Sequence, residues 1–233
     1  MAARQNEAVP GAPDTSTFAL LREARFSSYW IARLLGQSAQ GALLYGLLIL
    51  IADRTDRSIY SSLFVACSIV PSLLFGLPGG WAADRLPQRL ALIGLSVLRA
   101  ALVILLLGGT IDLIMIFAVT LGVWIVHQLF SPTESAVLAR LVPAERISNA
   151  TALSNLALTL SQALGMVILA PLLLKLGDPR FLFATVSMLY AGAAVFYIRM
   201  GNLPAPPSER REQQPISLRR GWDVAVADRH LAR

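Results

Sequence analysis

Long apolar runs separated by short polar connectors make up most of this chain. Each run has about 20 residues or more, the length that an α-helix needs to cross the hydrocarbon core of a bilayer. Backbone groups in lipid must pair within their own run, so each run is predicted to be helical. The runs are too long and continuous for the alternating strands of a membrane barrel. The six predicted spans are residues 26–52, 60–83, 89–109, 111–130, 150–176 and 181–200.

The connectors set the predicted topology. Most are only a few residues long, which favours consecutive helices as antiparallel neighbours, and the fourth is longer, at Ser131–Asn149. The predicted fold class is therefore all-α, a polytopic membrane protein with six transmembrane helices. Its predicted parts are a cytoplasmic N-terminal segment at 1–25, the helical bundle at 26–200, and a cytoplasmic linker with an amphipathic helix at 201–233.

The composition agrees with lipid as the solvent. Hydrophobic residues make up 55% of the chain and charged residues only 15%, against about a quarter in soluble domains. The net charge is +6, but the arginines lie between apolar runs, so nucleic acid is not an expected partner. One cysteine and two histidines cannot build a disulfide framework or a metal cluster. No Ser-His-Asp set or phosphate loop is present, so neither an enzyme nor a cofactor is predicted.

The distribution of basic residues predicts the orientation of the spans. Fourteen of the 20 basic residues fall on the side that holds both chain ends, and four fall on the other side. Basic residues collect in cytoplasmic loops. Both termini are therefore predicted to be cytoplasmic, and this bias suits a bacterial inner membrane.

The connector between the second and third spans, GGWAADRLPQR at residues 79–89, holds the most specific motif. The carboxylate of Asp84 lies at a helix end. There it can accept hydrogen bonds from a neighbouring helix N-terminus and pair with the arginines of the same loop. The stretch resembles the G-x-x-x-D-R-x-x-x-R loop signature of the major facilitator superfamily. That resemblance implies a gating role for the residues that match it, which are Gly80, Asp84, Arg85 and Arg89.

Residues 130–177 resemble the fourth loop and fifth helix of the exporter branch of that superfamily, the macrolide- and siderophore-efflux type. The resemblance continues into the tail, so the chain looks like the N-terminal six-helix half of such a transporter. Three departures bear on function. Gln40 stands where the first helix often carries an acidic or Asn side chain, Glu134 stands where the fourth loop usually has Arg, and only Gly165 remains of the Gly-Pro-Gly signature of the fifth helix.

Arg99 is the most notable intramembrane residue. It lies about ten residues into the third span, which is about 15 Å deep, and an Arg at the bilayer centre costs about 2.5–3.5 kcal/mol on insertion scales. Its side chain is therefore expected to face the bundle interior or a wet cavity. Its counter-group is either an anionic substrate or partner carboxylate, or the carbonyls and polar side chains of neighbouring helices.

Other polar residues of the spans are secondary candidates. Gln37, Gln40, Asn155 and Gln162 are predicted either to line one polar face of the first and fifth helices or to bond between helices. His127 is expected to be an interior histidine rather than a proton relay. Arg33 is expected to extend to the cytoplasmic headgroups. In the fourth loop, Glu134 is predicted to pair with Arg140 or Arg85.

Two functions from different classes follow. The first is half of an efflux transporter, which moves a small-molecule substrate by alternating access with a second half. The alternative is a subunit with a structural or assembly role in a larger membrane complex, derived from a transporter half that no longer transports. Six helices form only one wall of a transport cavity, so partners besides the lipid bilayer are expected, and the chain is not predicted to be a monomer.

Overall fold

The computed structural model describes residues 17–55, 58–108 and 112–203, without the side chains of residues 17 and 77–85. All secondary structure in these ranges is helical, and six helices are long and apolar enough to cross a membrane. The predicted fold class is confirmed. The α-helices are α1 (Ala24–Arg54), α2 (Ser58–Arg85), α3 (Gln88–Ile104), α4 (Leu113–Leu141), α5 (Ile147–Gln162), α6 (Ala170–Leu174) and α7 (Arg180–Arg199).

Shorter helical segments complete the spans. The 3₁₀ turns are Thr17–Arg22, Leu105–Leu107 and Ala144–Arg146, and a π-helical segment covers Ala163–Leu169. This π segment joins α5 to α6, so that α5, the π segment and α6 form one fifth span, and α7 is the sixth. Residues 204–233 are outside the described ranges, so the amphipathic helix predicted within 201–233 stays a prediction.

The fourth span is longer than the sequence predicts. The connector expected at Ser131–Asn149 is wrong, because α4 continues through Pro132 to Leu141. Proline removes a single backbone donor and usually bends or ends a helix. Here the following turns bury Val137 and Leu138, so tertiary packing extends the helix beyond the proline. Glu134 and Arg140 consequently belong to α4 and not to a loop.

The helices pack in a pattern with internal two-fold symmetry. α1 packs mainly on the fifth span and α7, α4 packs mainly on α2 and α3, and α3 packs on α7. The same pattern results when the first span is exchanged with the fourth, the second with the fifth and the third with the sixth. Equivalent helices are three positions apart in the order of spans, and because this number is odd they cross the membrane in opposite directions. The two repeats therefore have opposite orientations in the membrane. Consecutive helices are therefore not always the closest neighbours, contrary to the expectation from connector length.

The first span is the most enclosed helix and meets the fifth span at very short range. The contact lies at Gly165, within the π segment, against the backbone of Ser38 to Ala42 in α1. A Cβ atom at position 165 would lie 2.8 Å from the Ala42 nitrogen and 3.2 Å from the Gly41 carbonyl carbon. Only glycine fits between these backbones without displacing them.

Candidate functional site

Of the four residues that match the loop signature, the structure describes the side chain of the last, Arg89. The side chains of Gly80, Asp84 and Arg85 lie outside the described residues. Arg89, in the first turn of α3, donates from Nη2 to the Ile198 carbonyl at 2.7 Å and from Nη1 to Asn202 Oδ1 at 3.0 Å. A cation at these carbonyls complements the C-terminal end of the α7 dipole. This arginine therefore ties the start of the third span to the end of the sixth.

A buried ion pair joins α1 to α4. The Nη1 of Arg33 contacts Oε2 of Glu134, and the hydroxyl of Tyr197 in α7 donates to Oε1 of the same carboxylate at 2.8 Å. Glu134 is only 2% exposed. The expectation that Arg33 extends to the headgroups is wrong, because the longer α4 brings a carboxylate within its reach. Among the described side chains the basic partner of Glu134 is Arg33 and not Arg140, which donates to Gln88 Oε1 at 3.1 Å. The other predicted partner, Arg85, has its side chain outside the described residues.

Two further bonds anchor this region to the fifth span. Arg33 Nε donates to the Ser154 carbonyl at 3.2 Å, and Trp30 Nε1 donates to the neighbouring Leu153 carbonyl at 2.8 Å. Arg33 therefore lies where α1, α4 and the fifth span meet. Its guanidinium fork is shared between a carboxylate and a backbone carbonyl, which fixes its position.

Arg99 lies in the bundle interior between two aromatic rings. Its Cζ is 3.8 Å from the ring centroid of Phe130 in α4 and 4.7 Å from that of Tyr190 in α7. The residue has no exposed surface, and none of its three guanidinium nitrogens has a hydrogen-bond partner among the described residues. Of the two kinds of counter-group expected from sequence, the carbonyls and polar side chains of neighbouring helices form no hydrogen bond to these nitrogens within the described ranges. The charge is offset by ring faces.

Replacing Arg99 with methionine is expected to leave the free energy of unfolding unchanged or to raise it by about 1 kcal/mol. The change removes an insertion cost of about 2.5–3.5 kcal/mol and a desolvated cation–π attraction of about 2 kcal/mol. Thermal unfolding of the purified protein in mild detergent measures the difference. Arg99→Lys is the control, since it keeps the charge but loses the planar group that stacks on the rings. A large loss of stability in the methionine variant would contradict this balance.

The other interior candidates lie around the same centre. Gln40 in α1 is buried and accepts a hydrogen bond from the Tyr190 hydroxyl at 2.7 Å. His127 packs edge-on to Trp124 and stacks near Phe130, with ring centroids 5.5 and 6.4 Å apart. Its Nδ1 is buried without a partner among the described residues. These side chains form the inside of the six-helix bundle, and the cleft that Gln40 and Trp124 border is too narrow to admit water.

A polar face runs along the outside of the fifth span. Thr151, Asn155, Thr159 and Gln162 are all exposed and follow one another at three- or four-residue spacing, so they share one side of the helix. Gln162 and Thr159 also border an open groove of about 490 Å³ whose other wall includes Tyr45 of α1. The four predicted polar residues of helices one and five are therefore divided: Asn155 and Gln162 face outward, Gln37 is half-buried and Gln40 is turned inward.

The outer faces of α3 and α7 have the opposite character. Between the helix ends their large exposed side chains are apolar, among them Val97, Leu98 and Ile104 on α3 and Met188 and Val195 on α7. Such faces suit contact with lipid. The fifth span also exposes large apolar side chains, such as Leu156 and Val167, but it differs from α3 and α7 in the polar face that runs beside them.

Sequence reasoning missed the aromatic partners of the buried charges. Tyr190 and Tyr197 are fully buried and lie seven residues apart, which places both hydroxyls on one face of α7. Two tyrosines at that spacing in an apolar helix indicate that neighbouring helices supply polar partners, because a buried hydroxyl needs a hydrogen bond. That spacing was the signal available in the sequence. The position of Phe130 beside Arg99 has no local sequence signal.

Comparison with known families agrees with this architecture. The profile described as Major Facilitator Superfamily matches residues 26–232. The chain belongs to the Major Facilitator Superfamily. Membership in this superfamily points to a transporter rather than an enzyme, and the six apolar helices agree with a multi-pass membrane protein.

A curated relative extends the comparison. The chain is 29% identical over 132 residues to a protein of Oryza sativa subsp. japonica named "Probable anion transporter 6". The match covers 57% of this chain and 31% of the relative, so the chain spans about a third of that protein's length. No solved structure matches significantly. Within the superfamily, the described geometry offers two sites of interest, the polar face of the fifth span and the Arg33–Glu134 pair.

Proposed function

We propose that this chain is the N-terminal half of an exporter of the Major Facilitator Superfamily. In this proposal it moves a small molecule by alternating access together with a second six-helix half. That half is supplied by further sequence, a second copy or another chain. The family match and the two inverted three-helix repeats support this proposal.

The polar face of the fifth span is the observation that carries the proposal. Side chains such as Asn155 and Gln162 are costly when they face lipid, so polar membrane surfaces usually face protein or a water-filled cavity. On α3 and α7, by contrast, the exposed large side chains between the helix ends are apolar. The fifth span, with the adjoining groove at Tyr45, is therefore proposed as the wall that faces the second half and the transport route.

The proposed substrate class is anionic. The printed name of the rice relative supports this, and a basic transmembrane chain rich in arginine agrees with it. The proposed location is a bacterial inner membrane with both termini in the cytoplasm, which the excess of basic residues on one side supports. Arg89, with Gly80, Asp84 and Arg85, is proposed to act in gating.

Cysteine labelling tests the proposed wall. In a Cys67→Ser background, Asn155→Cys and Gln162→Cys are expected to react at least tenfold faster with a membrane-impermeant maleimide than Val97→Cys and Met188→Cys. Thiol reaction requires water and an ionised thiolate, and only the first pair is proposed to face an aqueous route. Val97 matches the depth of Asn155, and Met188, like Gln162, lies near the middle of its span. Equal labelling of all four variants would contradict the proposal.

Native mass spectrometry of the protein, extracted from its own membrane in mild detergent, tests the need for a second half. The proposal expects a second six-helix unit, either as an additional chain or as extra mass in the same chain. Loss of that unit is expected to expose the fifth span to detergent.

A second function, a structural subunit of a larger membrane complex, is favoured by one observation. Arg99 and Gln40 are enclosed in the bundle and do not line an open cavity. A 25.1 kDa chain held among unrelated membrane subunits, with no substrate flux in proteoliposomes, would support this alternative.

A further inference from the structure

The Arg33–Glu134 pair is unequally accessible. Glu134 is 2% exposed, whereas the side chain of Arg33 is 13% exposed. The carboxylate is enclosed by α4 and α7, and the guanidinium lies at the edge where α1 meets the fifth span. The surface that the pair exposes therefore belongs mainly to the side chain of Arg33.

The two partners also differ in what holds them. Glu134 keeps a second donor, the Tyr197 hydroxyl at 2.8 Å from Oε1, whatever happens to its contact with Arg33. Arg33 keeps its bond from Nε to the Ser154 carbonyl. Each group can therefore stay in place when the contact between them is exchanged. A guanidinium fork binds carboxylates and phosphates in the same planar geometry, so an external oxyanion can replace the internal carboxylate.

The surroundings of Arg33 adjoin the polar face of the fifth span. Gln37 follows Arg33 by one helical turn on α1 and is half-buried, and Tyr45, two turns further along the same stripe, borders the open groove with Thr159 and Gln162. Gly41 lies between Gln37 and Tyr45 and packs on Gly165 and Met166. The polar row that links the ion pair to the groove is therefore that of the fifth span, from Asn155, next to Ser154, to Gln162. Arg99, by comparison, is sealed behind Phe130 and Tyr190.

We infer that Arg33 is a binding residue for a small carboxylate or phosphate, and that Glu134 is an internal carboxylate that occupies Arg33 until such an anion displaces it. This inference rests on the proposed transport function and names the chemistry of its substrate. The anion and Glu134 then compete for the guanidinium of Arg33, and this competition sets the substrate affinity. When the anion is bound, Glu134 keeps only the hydrogen bond from Tyr197. Ser154 positions the guanidinium through its carbonyl.

Anion binding to the purified chain in phosphatidylcholine nanodiscs tests this inference without requiring transport. The probes are inorganic phosphate and acetate at constant ionic strength, and the readout is tryptophan fluorescence, because Trp30 lies one turn from Arg33. Glu134→Gln is expected to bind at least tenfold more tightly than the unmodified chain, since the competing charge is gone. Arg33→Gln and the double variant Arg33→Gln/Glu134→Gln are expected not to bind. Trp30→Phe identifies the source of the signal.

Tyr197→Phe is the matched control, because it loosens the same site but keeps the ion pair, so its affinity is not expected to rise. Unchanged affinity in Glu134→Gln, no binding by it, or binding by the double variant would each overturn the inference. The double variant leaves no charge unpaired, so it remains informative if a single variant misfolds. Repeating the titration with phosphatidylglycerol in the discs separates two sources of the anion. Competition by that lipid identifies a headgroup, and its absence identifies a soluble anion.

The outcome is independent of the labelling test above. If Arg33 binds anions while the fifth span proves inaccessible, the site stands and the proposed route fails. If the fifth span is accessible but anions do not bind, the route stands and this substrate chemistry fails.

Discussion

Gly165→Leu is expected to prevent the first and fifth spans from packing and to abolish a monodisperse folded bundle. Gly165→Ala is expected to lower the free energy of unfolding by about 1–3 kcal/mol, the usual cost of overpacking. Even a methyl group at this position would approach the backbone nitrogen of Ala42 to 2.8 Å. Because the neighbouring atoms belong to backbone, no rotamer change relieves the contact. Size-exclusion profiles and thermal unfolding in mild detergent measure both effects.

Gly94 supplies the control for that experiment. It also lies within a span, in α3, but a Cβ atom there would meet nothing within 4 Å. Gly94→Ala is expected to be neutral or slightly stabilising, since alanine is the better helix former, and Gly94→Leu should also be tolerated on a lipid-facing surface. A Gly165→Leu variant as stable as Gly94→Leu would show that the two spans do not pack at the short range described.

Glu134→Leu is expected to destabilise the protein by about 3–5 kcal/mol, because it leaves the partly buried Arg33 without its counter-charge. The double variant Arg33→Met/Glu134→Leu is expected to recover most of that loss, since an apolar pair of similar volume often replaces a buried ion pair at little cost. Unfolding midpoints of the two single variants and the double variant form a double-mutant cycle. A coupling energy near zero would contradict the described contact.

Glu23→Ala is the comparison on the surface. Glu23 pairs with Arg146 at 3.0 Å, but the two side chains are 49% and 26% exposed. Exposed pairs contribute about 0–1 kcal/mol, so this substitution is expected to change stability far less than Glu134→Leu. Similar losses in both would mean that burial does not distinguish the two ion pairs.

The number, order and approximate limits of the spans follow from the sequence because lipid imposes a simple rule. A run without charges must be helical and about 20 residues long, and each of the six predicted runs coincides with a helical span. The limit of α4 did not follow from this rule. Pro132 and Glu134 both indicate a helix end locally, and the contacts that override them come from distant segments.

For the candidate site, the sequence predicts the depth of a residue in the membrane but not its side-chain partners. The depth of Arg99 follows from counting residues, and its buried position agrees with that count. Its aromatic neighbours do not follow, because Phe130 and Tyr190 lie on other helices. The pairing of Arg33 with Glu134 does not follow either, since the two residues are 101 positions apart along the chain. Side-chain pairing between helices depends on rotation about each helix axis, which an apolar run does not specify.

The separation of these partners along the chain has a consequence for biosynthesis. The first span emerges with Arg33 and Gln40 already in place, but their partners are 101 and 150 residues further on. At about 5–20 residues per second, roughly 5–30 s pass before Glu134 and Tyr190 are made. During that time the first span cannot satisfy its polar groups in lipid. We therefore expect it to remain beside the insertion machinery, so that release into the bilayer waits for the last span.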